Sequence, residues 1–106
     1  MAGYYFGDSL WIIIELASGG SIGDIIKKRK AGLDEDQIKC CAHQLLSALG
    51  YLHSNAIIHR DLNASNVLLA EGGVLKIADF GVSVKCKSER ERRSSFIGTP
   101  NVRILI

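Results

Sequence analysis

The sequence predicts an α+β fold in which strands at the amino end precede two helices and a second, shorter hairpin. Residues 4–15 combine aromatic and β-branched side chains around a Gly-Asp pair, which is typical of two strands joined by a tight turn. Apolar residues recur at spacings of three and four across residues 34–53, which indicates an amphipathic helix. Residues 67–78 hold two apolar runs separated by Glu-Gly-Gly, and this pattern predicts the second hairpin.

The first strands are expected at residues 4–6 and 10–15, with the turn at Gly7 and Asp8. The glycines that follow, in residues 19–23, lack the G-x-G-x-x-G spacing of a phosphate-binding loop, and no V-A-I-K strand follows them. We interpret this stretch as a connection into a helix, with Ser21 as N-cap and Asp24 as its capping-box partner. Basic residues at 27–30 end that helix, where cations suit the helix dipole.

The longest helix is predicted from about Asp34 to about His53, with Asp34 as N-cap and Gln37 as its capping-box partner. Its apolar stripe comprises Ile38, Cys41, Leu45, Leu49 and Leu52. A membrane-bound helix is disfavoured, because the opposite face is short of basic residues beyond Lys39 and no apolar run approaches membrane length.

Composition indicates one small domain and excludes several classes of protein. The chain has 106 residues, of which 47% are hydrophobic and 23% charged, an ordinary globular balance. The net charge is only +2, and the basic residues after position 84 alternate with glutamates, so nucleic-acid binding is not expected. The three cysteines have no metal-ligand spacing, which favours reduced thiols and a cytoplasmic protein. The amino end lacks the features of a signal peptide.

Two motifs carry the chemistry, and they flank the second hairpin. The first runs His-Arg-Asp-Leu-Asn-Ala-Ser-Asn over residues 59–66, and the second is Asp-Phe-Gly at residues 79–81. Either motif alone would be an ordinary loop or turn, but the hairpin between them can bring Asp61, Asn66 and Asp79 to one end of a sheet. Their side-chain oxygens could there bind magnesium and a phosphoacceptor.

This order resembles the catalytic centre of eukaryotic protein kinases, whose signature runs H-R-D-L-x-x-x-N and then D-F-G. The resemblance implies transfer of the ATP γ-phosphoryl group to a serine or threonine hydroxyl of a protein substrate, with ATP and Mg²⁺ as cofactors. It implies that Asp61 is the catalytic base and that Asn66 and Asp79 are the metal ligands.

Residues 92–100 indicate which branch of the protein kinases the chain resembles. They end in Gly-Thr-Pro and are similar to the activation segment of sterile-twenty-like serine/threonine kinases. Alignment to that branch puts Ser95 at an activating phosphorylation site for an upstream kinase, with Ser94 and Thr99 as neighbouring candidates. Arg60 would receive the phosphate. The alternative is that these serines are simply solvated residues of a polar loop.

The same resemblance implies an adenine site. Residues 15–17 would be the hinge whose backbone pairs with adenine, with Glu15 and Ala17 as the contacts and Ile14 as the gatekeeper. Leu68, on the second hairpin, would lie beneath the ring. The alternative is that these side chains only pack in the core and would do so without ATP.

One residue departs from the family pattern. Serine/threonine kinases usually have a lysine two residues after the catalytic aspartate, where it stabilises charge on the transferred phosphate, and this chain has Asn63. An asparagine donates only neutral hydrogen bonds, which are roughly half as strong as charge-assisted ones. We therefore expect catalysis to suffer.

The resemblance covers nearly the whole chain and divides it as a partial kinase domain. The divisions are 1–15 (last small-lobe strands), 16–33 (hinge and first large-lobe helix), 34–54 (long helix), 55–81 (catalytic loop to Asp-Phe-Gly), 82–100 (activation segment) and 101–106 (a divergent tail). The glycine-rich loop, the V-A-I-K lysine and the later Ala-Pro-Glu are not among these residues. We expect a truncated kinase with little activity alone; the alternative is a non-catalytic, pseudokinase-like module that binds a partner.

Overall fold

The computed structural model describes residues 1–86, and these form an α+β arrangement of two helices with three antiparallel strand pairs. The elements are β1 (Ala2–Phe6), β2 (Ser9–Ile13), α1 (Ile22–Lys28), α2 (Glu35–Ser54), β3 (Ile57–Ile58), β4 (Val67–Leu69), β5 (Leu75–Ile77) and β6 (Val84–Lys85). Short 3₁₀ turns occupy Ala64–Asn66 and Glu71–Gly73. The predicted fold class is confirmed.

The amino-terminal hairpin pairs β1 with β2 and turns at Gly7-Asp8, as predicted. Tyr5 lies opposite Leu10 and Phe6 opposite Ser9, so the turn has two residues. Gly7 has φ 59°, a conformation that side chains rarely adopt. The second strand ends at Ile13, two residues earlier than expected. Every residue of both strands is exposed, so nothing else in the described part of the chain covers either face of this hairpin.

The glycine-containing connection is attached to β4 by backbone hydrogen bonds. Gly19 N donates to Leu69 O at 2.8 Å, and Leu69 N donates to Gly20 O at 2.8 Å. A Cβ atom at Gly19 would lie 2.7 Å from the same Leu69 oxygen, so only glycine fits this approach. The stretch therefore connects the first hairpin to α1 by pairing with the second hairpin.

Ser21 caps α1 as predicted, because its Oγ accepts a hydrogen bond from Asp24 N at 3.0 Å. The capping-box prediction was wrong in its second bond. The Asp24 carboxylate accepts from the Ser21 hydroxyl at 2.8 Å, and no return bond to the Ser21 amide forms. The aspartate side chain is one methylene shorter than the glutamate of a capping box, and it bonds the nearer group.

Helix α2 has the predicted cap and most of the predicted stripe. Asp34 Oδ1 accepts from Gln37 N at 2.9 Å and Gln37 Oε1 accepts from Asp34 N at 3.1 Å, which completes the capping box. Leu52 is buried and Cys41, Leu45 and Leu49 are half-buried. Ile38, in the first turn, is 53% exposed and does not join the buried stripe.

The second hairpin pairs Val67 with Ile77 and Leu69 with Leu75, as predicted. Its turn uses two glycines with positive φ, 72° at Gly72 and 79° at Gly73. At the other end of the hairpin, Ala78 N donates to Asn66 O at 2.8 Å. The two kinase-like motifs therefore emerge side by side.

The buried residues lie around this end of the hairpin. Ile58 in β3, Val67 in β4, Leu52 in α2 and Cys86 after β6 are each less than a tenth exposed. Strands β3 and β6 pair Ile58 with Val84, a contact that the sequence did not predict. No helix within residues 1–86 is both long and apolar enough to cross a bilayer.

Candidate active site

The predicted base and one predicted metal ligand are in direct contact. Asn66 Nδ2 donates to the Asp61 carbonyl at 2.9 Å and to Asp61 Oδ2 at 3.3 Å. The Asn66 carbonyl accepts from Ala78, the residue before Asp79. The fold thus gathers Asp61, Asn66 and Asp79 at one end of the second hairpin, as the spacing of the motifs predicts.

His59 connects the two motifs beneath this end. Its side chain is fully buried, its Nε2 lies 2.8 Å from Ala78 O, and its Nδ1 accepts from Asp61 N at 3.2 Å. Since Nδ1 is an acceptor, Nε2 must be the protonated nitrogen that donates to Ala78. Phe80 packs edge-on against the ring with centroids 4.8 Å apart. Beyond its place in the motif, nothing in the sequence indicates this role for the histidine.

Backbone strain is concentrated at the same place. Arg60 has φ 69° and Asp79 has φ 57°, in the left-handed region that costs a side-chain-bearing residue about 1 kcal/mol. The two His59 bonds flank these residues, because one reaches the amide after Arg60 and the other reaches the carbonyl before Asp79. His59 therefore holds both functional loops in their strained conformations.

Asn63, the departure from the family pattern, is folded back into its own loop. Its Nδ2 donates to the Asp61 carbonyl at 3.2 Å and to Asp61 Oδ1 at 3.3 Å. Its Oδ1 accepts from Ser65 N at 2.9 Å and caps the 3₁₀ turn. The asparagine thus braces the catalytic loop and the Asp61 carboxylate.

The donor set fits a magnesium ion. Asn66 uses its Nδ2 for the bonds to Asp61, so its Oδ1 is left for a metal in the described part of the chain. Asp79 is exposed, and among residues 1–86 its Oδ1 accepts only a long bond, 3.3 Å, from Gly81 N. Residues 1–86 contain no group of three His, Cys, Asp or Glu side chains placed to hold a metal. One carboxylate and one amide oxygen suit Mg²⁺, which also takes substrate phosphates and water.

The expected hinge residues lie close to the expected adenine floor. The connection that follows Ala17 pairs with Leu69, and Ser21 forms a bridge with Leu68 itself. Glu15 forms an exposed ion pair with Lys76 of β5 at 3.4 Å. The hinge is therefore joined to the second hairpin on both sides. Ile14 is exposed, so within the described residues it does not pack as a gatekeeper would.

Arg60 lies against the segment that follows Asp-Phe-Gly, because its Nε donates to Val82 O. This places it beside the start of the expected activation segment. Ser94, Ser95 and Thr99, the expected phosphorylation sites, lie outside the described residues. Their pairing with Arg60 stays a prediction.

A family model and several known proteins match this chain. A model described as "Protein kinase domain" matches residues 3–103. The chain belongs to the protein kinase domain family. Members of this family use ATP and Mg²⁺ to transfer phosphoryl groups.

Several relatives of this kinase-family chain are named as serine/threonine kinases. It is 49% identical over 94% of its length to serine/threonine-protein kinase 10-A of Xenopus laevis. It is 47% identical over 94% of its length to serine/threonine-protein kinase 10 of Homo sapiens, and 44% identical over 89% of its length to Myosin-IIIa of Homo sapiens. These matches confirm the resemblance to serine/threonine kinases of the sterile-twenty-like type. The chain spans about 10% of the length of the first two relatives and 6% of the third.

Proposed function

We propose that this chain forms part of a site that transfers the ATP γ-phosphoryl group to serine or threonine hydroxyls of proteins. The observation that carries this proposal is the junction at Asn66, whose side chain bonds Asp61 and whose backbone bonds the residue before Asp79. This junction joins the three oxygen-bearing residues that the reaction needs.

Each residue has a separate role in this proposal. Asp61 accepts the proton of the attacking hydroxyl, and the Asn66 bonds hold its carboxylate in place. Asn66 Oδ1 and the Asp79 carboxylate hold magnesium, which supplies charge neutralisation for the phosphates. His59 keeps the two loops in register through its bonds to the Asp61 amide and the Ala78 carbonyl.

The adenine would lie at the backbone of Glu15 and Ala17 and above Leu68. Support comes from the pairing of the Gly19-Gly20 connection with Leu69, which holds the hinge next to β4. The Glu15–Lys76 ion pair adds little energy because both side chains are exposed.

We further propose that these 106 residues alone transfer phosphate poorly. The glycine-rich loop and the lysine and glutamate that anchor the ATP phosphates in the family are not among them. Asn63 also directs its side chain into the loop instead of supplying a positive charge to the phosphate. Nucleotide binding is therefore a better first test than turnover.

The test is a calorimetric titration of the purified chain with ATP, in Mg²⁺ and then in EDTA. We expect saturable binding that needs Mg²⁺ and is lost in Asp79→Ala. The matched control is Asp8→Ala, which removes an exposed carboxylate from the turn of the first hairpin. Binding that persists in Asp79→Ala, or no binding by the unmodified chain, would contradict the proposed metal site.

The expected partners are a protein substrate that presents serine or threonine, and an upstream kinase that acts at Ser95 or Thr99. Cytoplasmic location remains a prediction from the three free thiols. Incubation with an activated sterile-twenty-like kinase, followed by mass spectrometry, tests the second partner. Phosphate found only outside residues 94–99 would exclude this form of regulation.

A further inference from the structure

Gln44 is a polar residue on the inner face of α2, and its side chain forms hydrogen bonds to the turn of the second hairpin. Its Oε1 accepts from Leu75 N at 2.9 Å, and its Nε2 donates to Gly73 O at 3.0 Å. These partners lie 31 and 29 residues further along the chain, so the contact is tertiary. One side-chain amide thus satisfies a donor and an acceptor of the same turn.

A half-open space borders this contact between the helix and the hairpin. A cavity of about 280 Å³ lies between α1, α2 and the hairpin. Its lining includes Gln44 together with Ile22, Ile25, Leu33, Leu69 and Leu75. The two Gln44 hydrogen bonds therefore help to fix the turn relative to α2, in addition to the contacts between α2 and β5.

The hairpin connects this turn to the proposed active site. Leu75 pairs with Leu69, Ile77 pairs with Val67, and Ala78 N then bonds Asn66 O. Asp79 follows four residues after Leu75, which is roughly 13 Å of extended chain. Since the strands are short and hydrogen-bonded throughout, a displacement of the turn moves the end that carries Asn66 and Asp79.

We propose that Gln44 is a positioning residue for phosphoryl transfer. Its amide fixes the second hairpin on α2 and thereby sets the placement of the two magnesium ligands at the other end. Gln44 acts through the hairpin and contacts neither nucleotide nor metal. The inference rests on the proposed function for the identity of the ligands, but the placement of the hairpin can be measured separately.

The test compares three variants of the full chain. Gln44→Met keeps the length of the side chain and removes both bonds to the hairpin, together with a long bond from Nε2 to Cys40 Sγ of the same helix at 3.6 Å. Gln44→Glu keeps an acceptor for Leu75 N and loses the donor to Gly73. Ser47→Ala is the control, because Ser47 is an exposed residue of α2 whose hydroxyl bonds only His43 O of the same helix. Amide hydrogen exchange is followed at Leu75 and Ala78 relative to Leu52 in α2. Mn²⁺ is the metal probe, detected by paramagnetic broadening of the Asp79 amide signal.

For Gln44→Met we expect exchange at both Leu75 and Ala78 to accelerate roughly tenfold, the effect of losing two hydrogen bonds, with a similar loss of Mn²⁺ affinity. Gln44→Glu should be intermediate and Ser47→Ala unchanged. Faster exchange at Leu75 with an unchanged Ala78 amide would overturn the inference, because the amide would then hold only the turn. If Mn²⁺ does not bind the unmodified chain, the proposed function fails, and exchange at Ala78 still decides whether Gln44 positions the hairpin.

Discussion

At the scale of single residues, the catalytic loop is held by a small number of side chains that each make more than one bond. Asn63 bonds both the Asp61 carboxylate and the Ser65 amide, and His59 bonds the Asp61 amide and the Ala78 carbonyl. Replacing either residue therefore changes several contacts at once. The two residues differ in burial, since His59 is fully enclosed. Their replacements should accordingly affect different properties.

Asn63→Lys should strengthen ATP binding at a small cost in stability. A lysine restores the charge that the family pattern places near the γ-phosphate, and a new hydrogen bond between charged groups is worth about 1.5 kcal/mol, or roughly tenfold in affinity. The gain should appear for ATP and not for ADP, which lacks that phosphate, when both are titrated by calorimetry with Mg²⁺. The melting temperature should fall slightly because the cap on Ser65 N is lost. Equal gains for both nucleotides would show that the lysine acts by general charge.

His59→Phe should destabilise the fold by roughly 2 kcal/mol or more, because it leaves the Asp61 amide and the Ala78 carbonyl without their partner. Phenylalanine is larger than histidine, so crowding of this enclosed site adds to the cost of the lost bonds. Urea unfolding followed by circular dichroism measures the change. His43→Phe, at an exposed position of α2, should stay within about 0.5 kcal/mol of the unmodified chain. Equal effects at the two positions would mean that the His59 bonds contribute nothing specific.

At the scale of elements, the second hairpin organises the site. It receives the hinge connection at Leu69, α2 through Gln44, and the catalytic loop through Asn66. The backbone groups of the hairpin make these contacts. A segment that bonds the hairpin backbone must come close to it, which favours a small residue at the point of contact. Gly19 is the clearest case, since its added Cβ would lie 2.7 Å from Leu69 O and 2.9 Å from Leu69 Cβ.

Gly19→Ala should loosen the attachment of the hinge to β4 and destabilise the chain by roughly 1–3 kcal/mol, because the added methyl meets backbone that cannot move aside. Gly50→Ala is the matched control: Gly50 lies within α2, and an added Cβ there meets nothing within 4 Å. That control should gain about 0.5–1 kcal/mol from helix propensity. Urea titrations of the two variants should therefore shift in opposite directions. A stabilised Gly19→Ala would contradict the close approach.

Local chemistry predicted the elements well, and tertiary contacts explain what the sequence could not supply. Residue type and spacing predict the cap of α2 and the glycine-containing turns of the two hairpins. They also predict the convergence of Asp61, Asn66 and Asp79. The pairing of Ile58 with Val84 and the hydrogen bond of Gln44 to Leu75 join segments more than twenty residues apart. No local pattern indicates such partners. A glutamine among apolar residues on the inner stripe of α2 was the available signal.

At the scale of the whole molecule, the described residues form a small buried centre with a large uncovered hairpin. Leu52, Ile58, Val67 and Cys86 are the buried apolar side chains of residues 1–86, while β1 and β2 are exposed throughout. A two-stranded hairpin is marginally stable by itself in water. Stability should therefore reside in α2, the catalytic loop and the second hairpin, and amides of these elements should exchange more slowly than those of β1 and β2.

The three thiols test whether that centre forms in the isolated chain. Cys40 is exposed, Cys41 is half-buried and Cys86 is buried, so iodoacetamide should label them in that order. Burial, and to a lesser degree the neighbouring Cys40, raises the pKa of the Cys41 thiol above its ordinary value. Since the thiolate is the reactive form, less of Cys41 reacts near neutral pH, and its rate should keep rising at a pH where an unperturbed thiol has levelled off.

Mass spectrometry of timed samples gives the three rates, and the same reaction in urea supplies the unfolded reference. The decisive rate is that of Cys86, whose amide bonds Ala56 O next to β3 and whose side chain is only 6% exposed. Strong protection of Cys86 without urea, lost in urea, would show that β3, β6 and the catalytic loop assemble in these 106 residues. Equal labelling of all three cysteines in both conditions would show that this core does not form in these 106 residues, and would contradict the assembled catalytic loop on which the proposed function depends.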